Sequence, residues 1–218
     1  KITSKNNKKK LKLKEKFEKL IQLLNSKKYG LVWEEHAELV EEEMKTKIPV
    51  FVEDESKRIH DNPDSEDFNF LLEGDNLHSL HLLEKTHTGK IDVIYIDPPY
   101  NTRNSDFKYN DTFVDKEDSF IHSKWLSFME RRLSTAKNLL SKNGVIFISI
   151  DDFEIANLRT LMDDIFGNNL ISQFIWETDG NFDNMAKVKN KHEYILMYAK
   201  EINNLGYPIG IAPDIKLD

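Results

Sequence analysis

The chain has 218 residues, 39% of them hydrophobic, no cysteine and a formal net charge of −7. That is enough apolar material for the core of one large domain. The missing cysteines exclude disulfides and thiolate zinc sites, no apolar run approaches the roughly 20 residues of a membrane span, and no signal peptide is visible. A cytoplasmic protein is expected. An acidic chain does not coat nucleic acid unselectively, because phosphate contacts come from clustered Lys and Arg. The sequence begins at Lys1 without a methionine, as an excised or trimmed segment would.

The first ten residues are polar and expected to fray, with Lys8 to Lys10 read as a solvated helix start rather than a nucleic-acid arm. Leu13, Phe17, Leu20, Ile21 and Leu24 recur at helical spacing and predict an amphipathic helix that stops near Gly30. A second helical stretch, Trp33 to Lys45, carries Glu34, Glu35, Glu38, Glu41, Glu42 and Glu43 as a solvated acidic face. Ile48 to Val52 and the polar run through Ser65 read as a linker. The organisation expected is therefore a helical N-terminal segment and linker over 1–65, a main domain over 66–200, and a linker or cut end over 201–218.

Phe68 to Glu73 is short and apolar and predicts a strand, followed by the turn Gly74-Asp75-Asn76 and a helix through Leu77, Leu80, Leu82 and Leu83. Asp75 is placed to cap that helix. His78, His81 and His87 fall on it without any known zinc spacing, and no metal site is assigned.

The centre of the sequence is Lys90-Ile91-Asp92-Val93-Ile94-Tyr95-Ile96-Asp97-Pro98-Pro99-Tyr100-Asn101-Thr102. Its apolar half is β-branched and aromatic, which predicts a buried parallel strand. The two prolines end it, because proline has no N–H for the ladder and holds its predecessor extended. Asp97 to Tyr100 would then form a stiff loop at a strand's carboxyl end, where open α/β sheets bind ligands. An exocyclic nucleobase amine is a poor nucleophile, since its lone pair is delocalised into the ring. Two preorganised acceptors, the Asp97 carboxylate and the Pro98 carbonyl, would favour a pyramidal nitrogen with its lone pair free. Tyr100 offers a flat face for an unstacked base.

Arg103 to Asp118 is a polar stretch with Phe107, Lys108, Tyr109 and Phe113 interleaved, either a mobile loop touching DNA or a loop packed down by Phe107 and Phe113. Ser119 to Leu140 predicts a long amphipathic helix with Trp125, Phe128, Met129, Leu133 and Leu140 on its buried face. Asn143-Gly144 should end it before the strand Val145 to Ile150. Asp152 is placed to cap a helix from Phe153 to Phe166. Leu170 to Trp176 and His192 to Ala199 predict two further strands around a loop over Asp179 to Asn190. The alternation of strand and helix implies an α/β, doubly wound sheet with right-handed crossovers.

Asp97-Pro98-Pro99-Tyr100 resembles the DPPY motif of amino-group DNA methyltransferases, and its surroundings resemble the methylation (Mod) subunits of type III restriction-modification systems. The likeness takes in Glu73-Gly74-Asp75-Asn76, Asn101-Thr102, Trp125 to Met129, Gly144 to Asp152, and His192 to Leu196, in the same order. It implies a Rossmann-like methyltransferase sheet, S-adenosylmethionine as methyl donor, double-stranded DNA as substrate, and a second Mod copy and a restriction (Res) subunit as partners. An Asp at the first motif position implies adenine N6 as acceptor. Asp97, Pro98, Pro99 and Tyr100 take the catalytic roles, and Asp75 and Asn76 lie near the cofactor. Asn101, Thr102, Lys108, Asn181, Phe182 and Lys187 are DNA or target-base contacts. Arg103 stands where relatives commonly have Gly, and Phe153 where they often have Asn.

The family's glycine-rich cofactor loop, Phe-x-Gly-x-Gly, occurs nowhere in the 218 residues. The expectation is thus a catalytic half without its cofactor half: a fragment, a truncated reading frame or one part of a split enzyme. Its Asp97 strand would then have an unpaired edge. The alternative is a non-catalytic product that binds a partner or DNA.

Overall fold

The computed structural model describes residues 14, 16–18, 32–58, 69–102, 107–110, 112–115, 117–177 and 191–206. The chain divides into two units, residues 1–32 and 33–218. In the first, the described residues are helical and carry a Lys14–Glu18 pair one turn apart at 3.7 Å. Leu13, Leu20, Ile21 and Leu24 of the expected amphipathic helix lie outside the described residues.

The second unit begins with extended chain and a short helix α1 (Leu39–Met44), closed at its start by a reciprocal capping box between Glu38 and Glu41. Helix α2 (Asn76–His87) leads through a tight turn to β1 (Ile91–Ile96). A two-stranded hairpin follows, β2 (Lys108–Tyr109) and β3 (Thr112–Phe113). Helix α3 (Ile121–Leu139) passes without a loop into β4 (Leu140–Ile150), then come α4 (Ile155–Phe166), β5 (Leu170–Glu177) and β6 (His192–Ala199).

The main sheet has the order β1-β4-β6-β5. β1 and β4 are parallel, whereas β6 runs antiparallel to both β4 and β5, so the sheet is mixed. Ile146, Ile148 and Ile150 of β4, with Leu196 and Tyr198 of β6, are fully buried. That row faces α4, as the Tyr198 hydroxyl donating to Asp163 at 2.7 Å shows, and α3 packs beside α4. The opposite row is open: Val93, Tyr95, Phe174 and Trp176 are 46–62% exposed. The second helical layer of a doubly wound sheet is not among the described residues, and β1 is the edge of the described sheet.

Several expectations need correction. Residues 69–73 are not a strand; Leu71 is 95% exposed, with no neighbouring ladder to hold it. Leu140 to Gly144 belong to β4 rather than to α3 or its end, because β1 pairs with them across a bulge, Ile91 opposite Leu140. Only Gly fits at 144, since a Cβ there would lie 2.8 Å from the Ile91 carbonyl oxygen. Helix α4 starts two residues later than expected and Asp152 does not cap it. Its carboxylate accepts the Tyr194 hydroxyl at 2.9 Å, while Asp151 accepts from the Phe153 N–H at 2.9 Å. The acidic face at 34–43 is not wholly solvated either. Glu38 is 5% exposed and grips Arg132 of α3 with both oxygens, at 2.7 and 3.0 Å, and Glu41 accepts from Arg131 at 2.6 Å.

Candidate active site

Asp97 to Tyr100 leave the carboxyl end of β1 as extended chain, as two prolines dictate. Asp97 is exposed, and its Oδ1 accepts a hydrogen bond from Ser149 Oγ of β4 at 2.7 Å. Ser149 is nearly buried and has one proton to give, so the carboxylate is aimed while its other oxygen stays outside that bond. Pro98 is buried, and the Pro99 carbonyl accepts the Trp125 indole N–H at 2.7 Å. Trp125, expected only as core, is thus also the floor of the loop.

The Tyr100 hydroxyl donates to Glu193 Oε2 of β6 at 3.2 Å. Burial pushes its phenol well above the ordinary tyrosine range, with the neighbouring Ser149 hydroxyl opposing and the Asp97 and Glu193 carboxylates adding to the rise. Tyr100 is therefore a neutral donor, braced at its far end with its ring only partly covered. Asn101 adopts a left-handed backbone with φ of 60° and is 2% exposed. Its amide donates to Glu154 Oε1 at 2.5 Å, and the same oxygen takes His122 Nδ1 at 2.6 Å.

Helix α2 packs against α3, and its first residues reach Arg132 of that helix, whose guanidinium lies 3.9 Å from Asp75 Oδ1. Asp75 caps α2 by accepting from the Leu77 N–H at 2.8 Å. Asn76 Oδ1 accepts from Arg132 Nε at 2.6 Å, and the Arg132 guanidinium stacks 3.5 Å from the Phe128 ring centre. Asp75 and Asn76 are thus engaged with the helix cap and with Arg132.

Of the remaining expected site residues, Thr102 is half-buried beside Asn101, and Lys108 is exposed above the Phe113 ring at 4.7 Å. Phe107 and Tyr109 are buried, with Phe107 edge-on to Phe128 as a packed loop requires, whereas Phe113, expected to pack with it, is 51% exposed. Asn181, Phe182 and Lys187 lie outside the described residues. His78, His81 and His87 do not converge, and among the described residues no group of three or more acidic or histidine side chains is placed to hold a metal.

Sequence reasoning missed Ser149, Glu154, His122 and Glu193 as parts of the site. Ser149 and Glu193 sit inside blocks already singled out; Glu154 and His122 carry no local signal.

A family model described as DNA methylase matches residues 91–211, which is more than half of the chain and contains the whole Asp97 loop. The chain belongs to the N6/N4 DNA methylase family. Among curated relatives, the "Probable type III restriction-modification enzyme HindVI Mod subunit" of Haemophilus influenzae is 47% identical over 63% of the chain and 16% of the relative. The StyLTI Mod subunit of Salmonella typhimurium is 41% identical over 61% of the chain and 24% of the relative. The type II methyltransferase M.KpnI of Klebsiella pneumoniae is 41% identical over 58% and 31%. The matched region is thus under a third of the length of each. Among solved structures, the cytosine-N4-specific PvuII DNA methyltransferase aligns at TM-score 0.44 and 17% identity, covering 57% of this chain and 47% of its own. The M1.HpyAVI–SAM complex aligns at 0.42 and 12%, covering 66% and 61%.

Proposed function

We propose that this chain is the amine-accepting part of a DNA methyltransferase of a restriction-modification system, with adenine N6 as the methyl acceptor and S-adenosylmethionine as the donor. The observation that carries the reading is the Asp97 carboxylate, exposed at the sheet's carboxyl edge and aimed by Ser149 from beneath.

In this reading a base taken out of the duplex stacks on Tyr100, whose ring is held at the hydroxyl end by Glu193. One amine hydrogen is accepted by Asp97 and the other by the Pro98 carbonyl. Asp97 is held by Ser149 and the two prolines stiffen the loop before the base arrives, so reorganisation costs little as the nitrogen pyramidalises. S-adenosylmethionine, when bound, supplies an electrophilic methyl group. Asp75 and Asn76 are too few, and too engaged with Leu77 and Arg132, to hold such a cofactor by themselves. Among the described residues, concavities of about 410 and 460 Å³ lie away from the loop, one lined by Trp33 and Lys137 and one by His36 and Phe113. No step is therefore assigned to a cofactor pocket in these residues, and the glycine-rich loop is proposed to come from polypeptide other than these 218 residues. A second Mod copy, a Res subunit and duplex DNA are the partners proposed with it.

The open sheet face around Val93, Tyr95, Phe174 and Trp176 favours a second reading, a non-catalytic module that binds a partner through that face. The experiment is transfer of labelled methyl to mixed-sequence DNA, followed by nucleoside analysis. It compares this chain, its Asp97→Ala variant, and a longer polypeptide that carries the Phe-x-Gly-x-Gly loop. N6-methyladenine from the longer polypeptide, lost with Asp97→Ala, is the result expected. N4-methylcytosine would overturn the acceptor assignment, and no product from either length would leave the second reading.

A further inference from the structure

Asn101 is one of two non-glycine residues described with a left-handed backbone, and it directly follows the Asp97–Tyr100 loop. Asparagine tolerates that conformation better than most residues, and a buried one is fixed in it by the partner its side-chain amide finds. Glu154, four residues past the end of β4, is 0% exposed. Its Oε1 takes the Asn101 amide at 2.5 Å and His122 Nδ1 at 2.6 Å, and its Oε2 takes the Asn157 amide at 2.7 Å. A carboxylate this deeply buried is tolerable because every bond it makes comes from a donor. It ties together α3, the start of α4 and the exit of the Asp97 loop. His122 faces it from α3 with a side chain 43% exposed.

We infer that Glu154 is a positioning residue for the Asp97 loop: by fixing the Asn101 amide it holds the left-handed turn that sets how Tyr100 and the acceptors before it face the incoming base. The inference rests on the reading of Asp97 as the amine acceptor. Tyr100 is then held from two sides, by Glu193 at its hydroxyl and by Glu154 through the next residue. The carboxylate touches no substrate and acts only through backbone geometry. Losing it should hurt turnover far more than DNA affinity.

The test uses a backbone rescue. Glu154→Ala releases Asn101, whereas glycine adopts a positive φ without a Cβ penalty. If Glu154 works through that turn, adding Asn101→Gly to Glu154→Ala restores the loop; if it merely fills the core, the double variant is no better than the single. One readout is the NMR resonance of the Trp125 indole N–H, whose bond to the Pro99 carbonyl reports loop position in this chain whether or not it turns over. The other is single-turnover methyl transfer by the active polypeptide, with kcat and KM separated. Expected are a displaced Trp125 resonance and a fall in kcat on the order of 10–100-fold for Glu154→Ala, with KM little changed. Both should be largely recovered in the double variant and largely kept in Glu154→Gln, which retains an acceptor for Asn101. An unmoved Trp125 resonance in Glu154→Ala, or no recovery in the double variant, would overturn the inference. Undiminished transfer by Asp97→Ala would instead sink the reading of the site, while the Trp125 result still decides whether Glu154 holds the loop.

Discussion

Two carboxylates leave the same edge of the sheet, Asp97 after β1 and Glu154 after β4, and they are built for opposite work. Asp97 is exposed and takes one hydrogen bond from Ser149. Glu154 is fully buried and takes three, from Asn101, His122 and Asn157. A group that must meet an incoming amine needs acceptor capacity left toward solvent. A group that holds a loop needs all its capacity engaged, because an unsatisfied buried charge costs several kcal/mol. The carboxylate group and the sheet edge are common to both, so burial and donor count separate an acceptor from a brace.

The sharpest way to break this contrast is to neutralise each carboxylate and watch two different quantities. Asp97→Asn should lower methyl transfer by about 10²–10³-fold, the range for removing one preorganised partner of a reacting group. Its unfolding free energy should stay within about 0.5 kcal/mol of the parent, as for other exposed positions. Glu154→Ala should do the reverse in stability, costing about 3 kcal/mol in urea titrations by stranding the Asn101 and Asn157 amides. If Asp97→Asn unfolds the protein or Glu154→Ala leaves its stability intact, the division of labour is wrong.

The same contrast explains what was legible in the sequence. The Asp97 loop could be placed at a ligand edge because proline chemistry and a β-branched run are local, and so was the Asp75 cap. The order of helices and strands around it followed from periodicity. Glu154 was passed over because an isolated glutamate after Asp151-Asp152-Phe153 looks like part of a helix start; its meaning depends on His122, 32 residues away in sequence, and on Asn101, 53 away. Glu38 was misread for the same reason, as one acid in a solvated run, when its partner Arg132 lies 94 residues on. Non-local pairing also overturned the start of β4, where β1 across the bulge rather than helix propensity decides the backbone.

Glu38 offers a test of whether burial makes a brace outside the site. Its bidentate bond to Arg132 is nearly inaccessible, and Arg132 also reaches Asn76. Glu38→Gln should cost about 2–3 kcal/mol, somewhat below the range for breaking a buried pair because the amide keeps one acceptor. Chemical shifts should move at Asn76 as well as at Arg132. A smaller change is expected at Tyr100, where Tyr100→Phe removes the bond to Glu193 and should cost about 1 kcal/mol while leaving a ring able to stack. Its effect on transfer should be correspondingly modest, and a large loss would mean that the hydroxyl does more than brace the ring.

The finest distinction is between two tyrosines whose phenols are both raised, for different reasons. Tyr109 is 8% exposed, donates to the His36 carbonyl at 2.6 Å, and is pushed up to about 12 chiefly by burial, with Arg131 opposing. Tyr194 is raised chiefly by its hydrogen bond to Asp152 at an exposed position. For either, a folded value above the unfolded one of about 10 means that the folded state keeps its proton longer. The associated stability is present below about pH 10 and is lost as pH rises through the folded value. Urea midpoints measured from about pH 9 to about pH 11 should therefore fall. Tyr109→Phe should flatten part of that fall and Tyr194→Phe hardly change it, because solvent screens an exposed hydrogen bond and not a buried phenol. Equal flattening by the two variants would show that hydrogen bonding to a carboxylate, rather than burial, governs how the acids of this protein are tuned.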